Sequence, residues 1–178
     1  DNNFRFPKKQ HLTKRLKDVL EGNVNEKYFL SEQALKSIIY NKDNLQKSKV
    51  DPDIANALQT PGHSCGVYKG MNAISVNSAL KKGYEVATEN DSINFSVPNS
   101  ETRRGRVGKE VAQTLDTACN QGVINRNNIR RLTPRECFRL MDFPENFKWT
   151  VSDTQAYKQA GNSIVVNVLA EIIKKLQL

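Results

Sequence analysis

Cysteine is scarce in this sequence, and its placement argues against two common classes of small domain. The 178 residues include three cysteines, Cys65, Cys119 and Cys137, and no Cys-x-x-Cys pair. An odd, widely spaced set does not build a disulfide framework. A closed zinc site needs about four ligands, of which His63 and Cys65 supply only two. We therefore expect free thiols, no metal site and a reducing cytoplasm as the setting.

Long apolar runs are also missing. No run approaches the ~18 residues of a membrane span, so we expect no membrane segment, no membrane partner and no signal peptide. Hydrophobic residues make up 38% of the sequence, which predicts a modest core under a large polar surface, in one domain or in one domain with an appendage. The chain starts at Asp1 and not at a methionine, which favours a piece of a longer protein.

Positive charge is plentiful and partly clustered. The formal net charge is +8. Residues 103–109 hold Arg103, Arg104, Arg106 and Lys109, and residues 126–139 hold five arginines against one acid, Glu136. Arginine presents a rigid fork of donors that suits phosphates and guanine edges. The charge therefore favours a polyanionic partner, with nucleic acid first and an anionic membrane second, while simple solubility is the alternative.

The first 125 residues predict short elements. Thr13 can cap a short helix over 13–20, and Ser31 can cap a clearer helix that runs to about Tyr40. From about 50 to 125, short apolar runs such as 73–76 and 93–97 lie between Gly, Pro, Asn and Ser, which predicts short strands and loops. Residues 53–60 (DIANALQT) and 110–117 (EVAQTLDT) are similar to each other, either as two strand-and-loop units or by chance.

The last 50 residues predict three helices. Thr133 and Glu136 form a capping box with Pro134 at the first helical position, and Pro144 should end this helix. A short helix should run from Asp153 to a left-handed cap near Gly161. The final helix should begin after Asn162 and Ser163. Its apolar stripe comprises Val165, Val168, Leu169, Ile172 and Leu176.

Two long strings in this region resemble one protein family. RLTPRECFRLMDFPENF (131–147) resembles the ninth shared motif of bacterial DNA cytosine-5 methyltransferases, and QAYKQAGNSIVVNV (155–168) resembles their tenth. EVAQTLDT resembles the segment with a Thr-Leu pair that closes the variable target-recognition region. FPKKQHLTKRLKDVLEG and NEKYFLSEQAL resemble the stretch that follows the eighth motif.

The resemblance implies an α+β fold. Residues 1–150 would form the small target-recognition domain, with short strands, loops, a few helices and the ninth motif. Residues 151–178 would form the helical tenth motif, which in the family packs on a large Rossmann-like catalytic domain. DNA would lie in the cleft between the two domains, and the cofactor would be S-adenosylmethionine.

Several family features are absent from these 178 residues. The family's nucleophile is the cysteine of a Pro-Cys dipeptide, which attacks a flipped-out cytosine. The residues before the three cysteines are Ser64, Ala118 and Glu136. The Glu-Asn-Val, the Gln-x-Arg-x-Arg run and the glycine-rich cofactor loop are also missing. We therefore expect no catalytic residue in this chain and no methyl transfer by it alone.

The resemblance also implies binding residues. Asn162 and Ser163 would lie beside the methionine end of the cofactor, at a helix N-terminus whose free amides suit an anion; simple helix capping is the alternative. DNA contacts would come from Arg103, Arg104, Arg106, Lys109, Gln113, Thr114 and Leu115, or these cations would form a solvated loop. Arg131, Arg135 and Arg139 of the ninth motif are expected to be structural.

The favoured interpretation is therefore a part of a bacterial or phage restriction-modification methyltransferase, acting at carbon 5 of cytosine in duplex DNA. The chain would supply target recognition and the cofactor-side helix, next to a missing N-terminal catalytic domain or as one subunit of a split enzyme. The alternative is a stand-alone DNA-binding or regulatory module without catalysis.

Overall fold

A computed structural model of the chain describes residues 4–9, 11, 13–40, 73–125 and 128–176. The secondary-structure elements fall in three groups along the chain. Two 3-10 turns, Leu16–Asp18 and Glu26–Tyr28, precede helix α1 (Glu32–Ile38). The strands are β1 (Ala73–Asn77), β2 (Tyr84–Thr88), β3 (Ser92–Asn94), β4 (Val107–Gly108), β5 (Gln121–Asn125) and β6 (Asn128–Arg131). The chain continues with α2 (Pro134–Leu140), α3 (Asp153–Asn162) and α4 (Val166–Leu176).

The strands form two small antiparallel sheets. β1 and β2 pair as a hairpin, with Val76 opposite Glu85. The other sheet has the order β4-β3-β5-β6, and Ile93 of β3 lies between Val107 and Gly122. The architecture is α+β, as the sequence predicts, because short strands and helices occupy separate stretches of chain.

Two apolar clusters hold these elements together. The first lies under α2 and α3, around buried Phe138, Leu132, Ala156 and Leu16. The second lies between α1 and the sheets and includes Leu35, Ile38, Val76, Ile93 and Ile124. Ser31 caps α1 as predicted, since its hydroxyl accepts a hydrogen bond from the Ala34 amide at 3.3 Å.

The predicted start of the first short helix at Thr13 is wrong. The structure has only one 3-10 turn there, which begins after Arg15, and the Arg15 amide donates to the Asp18 carboxylate at 2.7 Å. The Leu16 amide donates to the distant carbonyl of Glu110 at 2.9 Å. This tertiary contact fixes the backbone where local capping alone would have allowed a longer helix.

Helix α2 confirms the capping box. The Thr133 hydroxyl accepts from the Glu136 amide at 3.2 Å, and the Glu136 carboxylate accepts from the Thr133 amide at 2.8 Å. The helix ends at Leu140, well before Pro144, because Asp142 takes a left-handed φ of 58°.

Gly161 does not form the predicted left-handed cap of α3. It lies inside the helix, which runs on to Asn162 and is capped by Ser163. A side chain at this position would place its Cβ 2.6 Å from the carbonyl oxygen of Asp116 and 2.9 Å from the Thr117 amide. Glycine is needed here because α3 and the loop before β5 touch backbone to backbone.

Two other predictions for the middle of the chain need correction. The strand predicted over 93–97 is shorter, because the chain leaves the sheet after Asn94 and Val97 takes a φ of 48°. Residues 110–117 form no strand, and the similar segment 53–60 lies outside the described residues. His63 and Cys65 lie outside them as well.

Much of the apolar side of helix α4 is exposed to solvent. None of its residues is buried, and the exposed fractions of Val168, Leu169 and Leu176 are 52%, 42% and 48%. Within the ranges that the structure describes, no helix has the length and apolarity to cross a bilayer.

Candidate functional site

An open groove of about 940 Å³ lies beside the motif residues. We call it the N-terminal groove, because residues 6–9, 11 and 13–16 form one wall. The other walls are the loop 111–115, the end of α2 and one side of α4. The groove therefore joins segments that are more than 150 residues apart in sequence.

The N-terminal wall carries a cluster of basic side chains that sequence reasoning missed. Lys8, Lys9, His11, Lys14 and Arg15 all line the groove and are exposed. Lys14 forms an ion pair with Asp142, with 3.4 Å between the Nζ and Oδ1 atoms. The sequence does indicate a basic segment here, since residues 5–17 hold six Lys and Arg residues and no acid.

The opposite wall contains three of the predicted DNA-contacting residues, Gln113, Thr114 and Leu115. The buried side chain of Gln121 holds this loop. Its amide oxygen accepts from the Gln113 backbone amide at 2.7 Å, and its amide nitrogen donates to the carbonyls of Gln113 and Thr114 at 2.9 and 3.4 Å. Leu115 packs on the first core cluster, and Thr114 is left exposed at the groove.

The arginine loop adjoins the same wall. The Gln113 side chain donates to the carbonyl of Gly105 at 3.0 Å, so Arg104 and Thr114 lie on neighbouring loops. Arg104 is exposed and has no hydrogen-bond or ion-pair partner among the described residues. Arg103 is exposed too, but its guanidinium donates to the carbonyl and hydroxyl of Ser96. Arg104 is thus the freest cation of this loop.

Arg106 does not lie on the surface, contrary to the prediction. It is 2% exposed. Its guanidinium donates to the carbonyls of Asn94 and Ser96, at 3.2 and 2.9 Å, and to those of Val97 and Pro98. Burial lowers the pKa of Arg106, and the neighbouring charge of Arg103 lowers it further. Its terminal nitrogens hold a loop, and its Nε atom is buried without a hydrogen-bond partner among the described residues, so none of its donors is accessible to phosphate.

Lys109 is exposed along its stem, but its ammonium is engaged. It donates to the Asp91 carboxylate at 2.6 Å and to the Val86 carbonyl at 2.8 Å. Burial raises the pKa of Asp91, but hydrogen bonds from Lys109, Thr88 and Glu110 lower it by more, so the net shift is downward. Lys109 therefore links β2 to the Asp91 turn, and its ammonium has few donors left for another anion.

Asn162 and Ser163 do not lie at a helix N-terminus, contrary to the prediction. They lie at the C-terminal end of α3, and α4 begins only at Val166. The Ser163 hydroxyl donates to the Ala160 carbonyl at 2.7 Å, and its amide donates to the same carbonyl at 3.2 Å. A helix C-terminus carries partial negative charge, so it offers no dipole attraction to an anion. Ser163 nevertheless lines the N-terminal groove, while Asn162 is exposed outside its lining.

The arginines of the ninth motif have structural contacts, as predicted. Arg139 binds both carboxylate oxygens of Glu145, at 2.6 and 3.0 Å. Arg135 donates to the Phe147 carbonyl at 2.7 Å and lies over the Trp149 ring. Arg131 lies over the ring of Tyr157, 6.0 Å from its centre.

A fully buried ion pair between Arg130 and the ninth motif was not foreseen from the sequence. Arg130 and Glu136 are both fully buried, and their two-pronged contact has N–O distances of 2.8 and 2.6 Å. The Glu136 carboxylate also accepts from the backbone amides of Glu21 and Thr133. This carboxylate therefore links the N-terminal segment, β6 and α2.

Two cysteines meet in the first core cluster. The sulfur atoms of Cys119 and Cys137 are 3.3 Å apart, and both residues are free thiols and 1% exposed. The hydrogen bond with Cys119 raises the pKa of Cys137, and burial raises it further. A thiol held neutral in this way is a poor nucleophile. In the described part of the chain, no three His, Cys, Asp or Glu side chains lie close enough to hold a metal ion.

The Asp91 contact gives a test by pH. A carboxylate whose pKa is lowered on folding stabilises the folded state above its unfolded pKa of about 3.9, and the effect is lost as the pH falls through the folded value. Asp91→Asn is expected to cost roughly 1–3 kcal/mol at pH 7, since it leaves donors unpaired. The difference from the unchanged protein should shrink below about pH 4. Denaturant unfolding across pH measures it, with Glu101→Gln on an exposed loop as the control.

Comparison with known proteins places these features in a family. A sequence model described as C-5 cytosine-specific DNA methylase matches residues 1–178. The chain is 32% identical to the orphan methyltransferase M.SPBetaI of Bacillus phage SPbeta, over 98% of this chain and 44% of that protein. It is 31% identical to the type II methyltransferase M.SsoII of Shigella sonnei, over 97% of this chain and 35% of that protein.

A solved structure gives a further, weaker likeness. The crystal structure of a DNMT2 mutant from Spodoptera frugiperda aligns with 98% of this chain and 45% of its own, at 18% identity and a TM-score of 0.43. The chain spans less than half the length of the curated relatives named above. Since the family model covers its whole length, the chain belongs to the C-5 cytosine-specific DNA methylase family.

Proposed function

We propose that this chain recognises duplex DNA for a methyltransferase acting at carbon 5 of cytosine, and that it completes the cofactor side of that enzyme. The observation that carries the proposal is the N-terminal groove. It combines five exposed basic side chains with the Thr114–Leu115 loop and with Ser163 on one concave surface. Family membership makes DNA the natural polyanion for such a surface.

DNA binding would begin with the phosphate backbone. Lys8, Lys9 and Arg15 have no acidic partner among the described residues, so their charge is available to phosphates. Arg104 lies on the loop next to Thr114 and can reach a phosphate or a base edge. Arg106 is not part of this proposal, because its guanidinium is buried. Lys109 can add charge but few free donors.

The side of α4 that lies outside the groove supports docking on a catalytic domain. Leu169, Ile173 and Leu176 do not line the groove, and they are 42%, 42% and 48% exposed. Burying an apolar side chain contributes roughly 1.5–3 kcal/mol, so this face gains from a partner. A domain carrying the Pro-Cys nucleophile, supplied by the same polypeptide or by a second subunit, fits the motifs that these 178 residues lack.

The fit to S-adenosylmethionine is partial. Ser163 is the one predicted cofactor residue at the groove, and its hydroxyl can still accept a hydrogen bond. The cofactor, when bound, supplies the methyl group, and residues of this chain would do no more than line one side of it. We propose Ser163 as such a contact. For Asn162, a cofactor contact is supported only by the resemblance to the tenth motif.

The division of the chain at residue 150 stays a proposal. Helix α3 buries Ala156, Tyr157 and Ala160 in the first core cluster, together with Phe138 of α2. This packing favours placing α3 with the recognition domain and only α4 with the catalytic domain. A restriction-modification enzyme in a bacterial cytoplasm is the setting we propose, in keeping with relatives from bacteria and phages.

Salt-dependent DNA binding tests the proposal. The chain should bind duplex DNA with an affinity that falls steeply with salt, because each phosphate contact releases counterions and contributes about −0.9 to the log–log slope. Lys8→Ala with Lys9→Ala should flatten the slope by about 1.8, and Arg104→Ala by about 0.9. Fluorescence anisotropy against salt measures these slopes.

Lys36→Ala provides the matched control, since Lys36 is exposed on α1 and does not line the groove. An unchanged slope in the Lys8/Lys9 variant would remove the groove from the DNA interface. Methyl transfer by the chain alone would contradict the proposal that the nucleophile lies elsewhere. The alternative, a DNA-binding module without catalysis, predicts that a catalytic domain supplied separately never associates with α4.

A further inference from the structure

The loop 95–104 presents one apolar side chain to solvent in an unusual backbone conformation. Val97 is 63% exposed and has a φ of 48°. Positive φ is a clear outlier for a β-branched residue, and a residue before a proline ordinarily favours extended backbone. Both preferences act against the observed conformation of Val97, which precedes Pro98.

The surrounding contacts explain how the conformation is kept. The buried guanidinium of Arg106 donates to the carbonyls of Ser96, Val97 and Pro98, on both sides of the residue. The Ser100 amide donates to the Val97 carbonyl at 3.1 Å and closes a turn. A buried cation thus fixes the backbone, and the Val97 side chain remains open to solvent.

Strained residues held by their surroundings are concentrated at sites that bind ligands. The Val97 turn is tied to the arginine loop, since Arg103 donates to the carbonyl of Ser96, and Arg104 with its free guanidinium follows directly. An exposed apolar tip on a turn that is hydrogen-bonded to the arginine loop suits two kinds of group on duplex DNA, the thymine methyl group in the major groove and a backbone phosphate.

We propose that Val97 is a specificity-determining residue, whose side chain contacts the C5 methyl group of a thymine in the DNA target. This inference rests on the proposed function, because it requires that the chain bind duplex DNA. It adds the chemical class of the group that is read and the residue that reads it. Arg104 would hold the neighbouring phosphate.

The test removes the thymine methyl group and shortens the Val97 side chain, first separately and then together. Binding-site selection from a random duplex library with the 178-residue chain should give a consensus that contains thymine. Replacing thymine by uracil deletes only the methyl group. At one position this change should weaken binding about fourfold, the value of one buried methyl group. In Val97→Ala the same change should have no effect.

Val151→Ala is the matched control, because Val151 is an exposed valine outside this loop, and it should keep the full response to uracil. Thermal unfolding checks that Val97→Ala is folded, and Val97→Gly repeats the test in a residue that accepts positive φ. A consensus without thymine, or an undiminished uracil effect in both Val97 variants, overturns the inference and leaves the proposed function standing. Absence of DNA binding by the unchanged chain refutes both, and is recognised by the failure of the first measurement.

Discussion

Glu136→Ala is expected to lower the free energy of unfolding by about 3–5 kcal/mol, the cost of leaving one member of a buried ion pair without its partner. Arg130 is fully buried, and its guanidinium would lose both contacts with the carboxylate. The Glu21 and Thr133 amides would lose their acceptor as well. Small domains have only about 5–15 kcal/mol of stability in total, so this single change should take away a large part of it.

Urea unfolding followed by the fluorescence of Trp149, the one tryptophan of the chain, measures this loss. Glu145→Ala provides the matched control, because the Glu145 side chain is 67% exposed in its pair with Arg139. An exposed pair contributes little, because water and salt screen it. The double change of Arg130→Met with Glu136→Leu should be more stable than Glu136→Ala alone, since no charge is left buried without a partner. Equal losses for Glu136→Ala and Glu145→Ala would contradict the explanation.

Phe138→Ala should have a similarly large effect, for a different reason. The ring is 1% exposed, and its centre lies 4.9–5.2 Å from those of Phe143, Phe147 and Trp149. Removing a buried phenylalanine loses its transfer free energy and leaves a cavity, at a cost of about 3–5 kcal/mol. Circular dichroism during guanidinium unfolding measures the change independently of Trp149.

Phe6→Ala is the control for Phe138, because Phe6 is 78% exposed and its loss should stay within about 0.5 kcal/mol. Phe138→Leu should be milder than Phe138→Ala, since it keeps most of the apolar volume. A loss below about 1 kcal/mol in Phe138→Ala would mean that the surrounding rings close the cavity.

The parts of the fold that were predictable are those decided by a few neighbouring residues. The α2 start needed only Thr133, Pro134 and Glu136, and Ser31 gave the start of α1 in the same way. The left-handed cap predicted at Gly161 was wrong, because the role of Gly161 depends on a loop more than 40 residues away. Local patterns carry no information about such approaches.

The candidate site also combines features that the sequence predicts with features that only the tertiary structure decides. Arg104 and Arg106 are two residues apart and look alike in sequence, yet one is free and the other is buried under four carbonyls. Only tertiary structure separates them, because burial of an arginine requires acceptors from the distant turn at 94–98. The basic N-terminal wall is different, because its charge is already present in the sequence of residues 5–17 and only its place on the groove depends on the fold.

The loop from Gln113 to Thr117 is anchored from several sides, and this limits what can move Thr114. Its backbone is held by Gln121 of β5 and touches Gly161 of α3. A further link runs from the Gln113 side chain to the carbonyl of Gly105, just before β4. The β1–β2 hairpin makes none of these contacts, so substitutions on its exposed side should leave Thr114 in place.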